Sequence, residues 1–249
     1  METAETAPLP LGERALLVAA LAAVALLAWA YLVHHAGMPA MPAMEHGGPD
    51  FAMLALMWVV MMLAMMLPSV APAVLVHAAV SRRVAPARAA ARNAGFVAGY
   101  GLAWSGFALG AAALELALGH LALLSDEMRA ASPWLGAALL AAAGAWQLTP
   151  AKDTCLSKCR MPLQFIAEHW RDGAAGAARM GLAHGLYCIG CCGALMALLF
   201  VGGVMNLLWV ALIAAFVLLE KTTFPGTRTG RLLSGGGLLL AAALVPVLG

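Results

Sequence analysis

Long apolar stretches separated by short polar breaks set the pattern of this chain. Residues 14–33, 51–76, 94–118, 133–148, 180–201, 207–219 and 232–248 are each nearly free of charge. A helix needs about 20 apolar residues to cross a hydrocarbon core of ~30 Å. Backbone polar groups inside lipid must be satisfied within the segment itself, so each stretch reads as a helix. The pattern predicts an all-α, polytopic membrane protein of about seven transmembrane helices. Residues 1–13 read as a flexible N-terminus and 14–249 as one transmembrane domain. Within it, 34–50 forms an outer His/Met loop and 150–179 a cytoplasmic Cys loop. The first stretch resembles a signal peptide only in position, since its apolar run is too long and lacks a convincing cleavage site. It is expected to be a retained helix.

Composition agrees: 63% of residues are hydrophobic and 10% charged, with a mean hydropathy of +0.90. The distribution of basic residues sets orientation. With a cytoplasmic N-terminus, all of the 14 Lys and Arg except Arg129 fall on inside segments. This predicts a multi-pass protein of a bacterial inner membrane, with the lipid bilayer as its surroundings and no nucleic-acid partner. No GxxxxGK[ST] loop occurs, and the KTTFPGTRTG stretch lacks the aspartate a phosphorylated pump needs before its Lys. ATP-driven chemistry is therefore not expected. Five Cys, an odd number without extracellular spacing, do not make a disulfide scaffold.

The chemistry concentrates in soft donors. Within 180–201 lie His184, Cys188, Cys191 and Cys192. At 100° per residue the first three share a narrow stripe, with Cys192 at its edge. Intramembrane polar clusters are costly and mark functional sites by default, although a single Cys also packs well as a small buried residue. The outer loop carries His34, His35, Met38, Met41, Met44 and His46 in an MPAMPAM repeat. Met53, Met57, Met61 and Met65 then form an oblique ladder down the second stretch, flanked by Met62 and Met66. Met is also an ordinary gap-filler, yet nine of fifteen fall between positions 38 and 66. Pro68 and Pro72 are expected to kink that helix. The pairs Gly95/Gly99 and Gly106/Gly110 offer small-residue faces for close helix approach.

Cys155 and Cys159 are one turn apart, with Asp153 or Thr154 as a cap and Pro162 just beyond. Lys152, Lys158 and Arg160 are expected to lower their pKa values. Two thiolates there bind Cu(I), or form half of a Zn site completed by Glu168 and His169. His77 and His120 read as hydrated interfacial imidazoles, and Glu220 with Lys221 as an interfacial ion pair. Thioether and thiolate select Cu(I), and thiolate with imidazole also suits Zn. Glu115 is the one carboxylate well within a span, so hard divalent ions are disfavoured.

The blocks MWVVMMLAMMLPS, GYGLAW, QLTPAKDTCLSKCRMPLQF, GLYCIGCCGALMALLFVGGVMNLLW and the EK pair resemble a bacterial family of predicted metal-binding integral membrane proteins of unknown function. The resemblance covers about residues 51–235. It implies an all-helical inner-membrane protein with a metal site. Its motif cysteines would be Cys155, Cys159, Cys188, Cys191 and Cys192, and its Met block Met57, Met61, Met62, Met65 and Met66. The family often has Trp after the double Cys, where this chain has Gly193, which implies a more open site.

Three functions follow from the sequence. The first is an integral membrane Cu(I)-binding protein that moves or delivers copper, handing it to a copper chaperone or cuproenzyme. Here the His/Met loop captures, the methionines relay, Cys188 and Cys191 hold at midplane with His184 or Cys192, and Cys155 and Cys159 receive. The second is a membrane thiol oxidoreductase cycling Cys188 and Cys191. The third is a structural zinc scaffold. The Met ladder favours the first, and with it a protein that is not an enzyme.

Overall fold

The computed structural model describes residues 9–36, 50–125, 128–222 and 228–248. Its elements are α1 (Leu11–Ala36), α2 (Phe51–Val84), a 3-10 turn at Pro86–Arg88, α3 (Ala89–His120), α4 (Pro133–Gln147), α5 (Pro150–Arg160), α6 (Pro162–His169), α7 (Gly173–Met196), α8 (Leu199–Gly202), α9 (Leu207–Thr222) and α10 (Arg228–Leu248). Among the described residues the only bridge is an isolated one, Leu124 with Ala130. The chain is all-helical, as its apolar pattern predicts.

Five segments are long and apolar enough to cross a membrane: Leu11–His35, Phe51–Val84, Pro86–His120, Gly173–Gly202 and Thr229–Val247. The expected fourth and sixth spans form α4 and α9, with 15 and 16 residues. At 1.5 Å per residue these reach only about 22–24 Å. Of the seven expected spans, five are thus long enough to cross a membrane and two form short helices.

Asp50 starts α2 by accepting a hydrogen bond from the Ala52 N–H. The helix then continues through Pro68 and Pro72 to Val84. The prolines remove backbone donors without ending it, because neighbouring helices hold the rod on several sides. Helices α3 and α7 run side by side in the same direction. Gly95 and Gly99 face the backbone of Ala174 and Ala178, and Gly181 and Gly185 face Phe96, Tyr100 and Ala103. Cβ atoms are missing where backbone meets backbone, which permits the close approach. Gly106 and Gly110, by contrast, face open space. Gly144 of α4 meets Gly235 of α10 in a second close crossing. Helix α1 lies along α2, joined at one end by the Glu13–Arg82 ion pair, and leaves Leu16, Leu26 and Leu27 exposed.

The segment 150–179 departs most from expectation. It holds the short helix expected around Cys155 and Cys159, α5, but that helix lies against α7 instead of beyond its end. Trp146 Nε1 donates to Gly190 O at 2.9 Å, and Cys155 Sγ occupies the notch left by the absent Cβ of Gly190. Thr149, not Asp153 or Thr154, caps α5, accepting from the Lys152 N–H. Asp153 instead pairs with Arg231 of α10. The C-terminal ends of α4 and α9 and the start of α10 therefore meet α5 at one level, about halfway along α2 and α7.

Candidate metal centre

Helix α7 delivers three thiols to that level. Cys188, Cys191 and Cys192 are all buried, and the Sγ–H groups of Cys191 and Cys192 donate to the Cys188 carbonyl at 3.1 and 3.0 Å. Helix α5 brings a fourth, Cys159, whose Sγ lies 3.9 Å from that of Cys191. The sulfurs of Cys159, Cys188 and Cys191 all fall within 4.8 Å of one another. Cys192 Sγ lies 3.9 Å from Met66 Sδ of α2. Cys159, expected at the cytoplasmic depth, thus joins Cys188 and Cys191 at one centre. No disulfide joins them.

The remaining walls are polar at chosen points. Lys221 Nζ, from the last turn of α9, donates to Cys188 Sγ at 2.8 Å and to Ser69 Oγ at 3.1 Å. The Tyr100 hydroxyl of α3 is 3.1 Å from the same sulfur. Sequence reasoning paired Lys221 with its neighbour Glu220. At successive helical positions they diverge by 100°, and Glu220 instead binds the buried Lys152. The Glu220 carbonyl also accepts from Arg160 Nε at 3.0 Å. The cue for Lys221 was available: a lysine near the end of an apolar stretch whose partner lies on another helix.

Cations expected to activate Cys155 and Cys159 are therefore engaged elsewhere. Lys152 and Arg160 hold Glu220, and Lys158 holds Glu168. That contact, with a hydrogen bond from Gln164, keeps the Glu168 carboxyl below its usual range. Burial and the nearby Cys191 push the half-buried Cys155 thiol up, not down. His169 Nδ1 donates to the Phe165 carbonyl at 3.0 Å. Neither Glu168 nor His169 joins the sulfurs, so the zinc completion expected there is not formed.

Other expected ligands are distributed as follows. Met61, Met62, Met65 and Met66 are buried in the core above the thiols, Met57 is partly buried, and Met53 is exposed. Of these, Met66 reaches a thiol, its Sδ lying 3.9 Å from Cys192 Sγ. His184 sits one turn before Cys188 but faces the rings of Phe96, Tyr100 and Phe165 rather than the sulfurs. His34 and His35 end α1, with His35 Nδ1 donating to the Tyr31 carbonyl. Met38, Met41, Met44 and His46 lie outside the described residues. Glu115 accepts from Trp58 Nε1 well away from the thiols. The missing Trp after the double Cys does not open the site. Phe107 of α3 lies 3.5 Å from the Cβ position of Gly193, and the α7 thiols stay covered.

Three converging thiols, with the Met66 thioether beside the adjoining Cys192, make a soft donor set suited to Cu(I). A family model described as PpoB2, copper chaperone, matches residues 55–245. No curated protein and no solved structure matches the chain.

Proposed function

From the premise that the chain belongs to the PpoB2 copper chaperone family, we propose that it holds Cu(I) at Cys159, Cys188 and Cys191 and delivers it across or from the inner membrane of a bacterium. The observation that carries this reading is the convergence of those three sulfurs from two helices within 4.8 Å. Cys192 with Met66 forms the adjoining step, and Met57, Met61, Met62 and Met65 continue the soft path along α2. Cys155, half-buried beside Gly190, is the ligand nearest the surface of α5 and takes the ion onward by thiol exchange. The His/Met segment with His34, His35, Met38, Met41, Met44 and His46 captures copper on the opposite side. In this arrangement α4 and α9 complete a seven-helix array, the N-terminus faces the cytoplasm, and the acceptor is a copper chaperone or cuproenzyme. A succession of weakly held two- or three-coordinate sites lets an ion move because none retains it tightly.

The test is anaerobic titration of the purified full-length protein. Wild type is expected to retain Cu(I) stoichiometrically against a chelating indicator, and Cys188→Ser/Cys191→Ser to lose that ion. Equal retention by both proteins, or Zn(II) bound in preference to Cu(I), would overturn the proposal. Reversible disulfide formation at these positions, with no metal retained, would favour the oxidoreductase.

A further inference from the structure

Below the thiols, toward the end that carries Arg82 and Arg83, three buried side chains that can offer a lone pair have polar atoms with no hydrogen-bond partner among the described residues. They are His184 Nδ1 on α7 and His77 Nε2 and Ser81 Oγ on α2; the neighbouring Arg92 of α3 is paired with Asp172. His77 and Ser81 are both 0% exposed and His184 2%. Buried polar atoms are normally paired, so unclaimed lone pairs in a row are available to a ligand.

His77 has the arrangement of a metal-binding imidazole. Its Nδ1–H donates to Asn93 Oδ1 at 3.1 Å, which fixes the tautomer and leaves the Nε2 lone pair unclaimed. Ligating histidines are commonly oriented in this way by an acceptor behind the ring. The ring is held by stacking on Phe96 at 4.6 Å between centroids. On α7, His184 packs against the same Phe96 at 5.9 Å and against Phe165 at 4.9 Å. Two imidazoles with free nitrogens thus share one phenyl ring between them. Along the helices, His184 lies about 6 Å from Cys188, and His77 about 12 Å from Ser69.

The geometry points to a second, imidazole-based path for a soft monovalent cation, with His184 as the station next to the thiols and His77, beside Ser81, as the station beyond. It rests on the copper reading of the thiol centre and extends it by naming the direction in which the ion leaves or arrives. Neutral imidazole nitrogen binds Cu(I). An isolated imidazole holds it loosely, as a transit site must.

The experiment uses full-length protein with 15N-labelled histidine in detergent micelles, titrated anaerobically with Ag(I) as the probe. Signals are assigned through His77→Gln and His184→Gln. Beyond the first, sulfur-bound equivalent, the His77 Nε2 and His184 Nδ1 signals are expected to shift. In a variant with all five cysteines replaced by Ser, where no thiol competes, they should shift at a lower total Ag(I) than in wild type. That result separates this inference from the thiol proposal, since the imidazoles respond even where the sulfur site is gone. His184→Gln should also slow loss of the sulfur-bound ion to an external chelator several-fold at unchanged stoichiometry. Unmoved His77 and His184 signals while the sulfur site fills, or shifts confined to the other histidines, would overturn the path and leave the thiol centre standing.

Discussion

Lys221→Leu is expected to weaken Cu(I) binding at the thiol centre by about 3 kcal/mol, roughly a hundredfold in affinity. With Cys188 and Cys191 bound as thiolates and Cys159 as a neutral thiol, the Cu(I) centre carries a net charge of −1. Uncompensated charge in a water-poor interior is costly, and removing one member of a buried pair leaves the other unpaid-for by solvent. Lys221 Nζ, 2.8 Å from Cys188 Sγ, supplies the balancing charge and brings the centre to neutrality. Leu is the informative replacement because Met would add a soft donor. Lys221→Arg keeps the charge and should lose much less. The check is anaerobic competition with a Cu(I) chelator. Unchanged Cu(I) affinity would mean the charge is balanced elsewhere.

Lys221 also shows how far the sequence could be read. Apolar runs of 18 residues or more became long helices because in lipid a backbone has little alternative. The stripe at Cys188 and Cys191 was legible because both lie on one helix, where spacing fixes angle. Placement of Cys159 was not, since it depends on α5 folding back against α7, through Trp146 to Gly190 and Lys152 to Glu220. A polar segment of that composition reads as a loop outside the membrane. Only the partners on other helices show why its charges can approach the middle of the bundle. His184 shows a related limit: sharing a stripe with Cys188 set its rough bearing, but its packing against Phe96 and Phe165 depends on other helices. Lys221 had a local cue, as a lysine near the end of an apolar stretch, but its partner did not, and Tyr100 had none, since each meets Cys188 from a different helix.

Gly99→Val should abolish the folded, copper-binding form, while Gly106→Val should leave it nearly unchanged. A Cβ at Gly99 would fall inside the van der Waals radius of the Ala178 carbonyl oxygen and close to the Leu182 nitrogen. Both are backbone atoms, so no side chain can rotate away. Overpacking against yielding side chains costs about 1–3 kcal/mol; here α3 and α7 must separate along their shared face, and the loss should exceed that range. The next residue on α3, Tyr100, contacts Cys188, so the same displacement dismantles the thiol centre. Gly106 lies on the same helix with nothing within 4 Å of its Cβ position, which controls for helix propensity and added bulk. Size-exclusion profiles in detergent, thermal unfolding and Cu(I) stoichiometry measured on both variants decide the matter. If Gly99→Val behaves like Gly106→Val, the parallel α3–α7 contact is not what positions the sulfurs. If Gly99→Val alone fails, two missing methyl groups on α3, at Gly95 and Gly99, and two on α7, at Gly181 and Gly185, are the sequence's means of holding Cys188 against Tyr100.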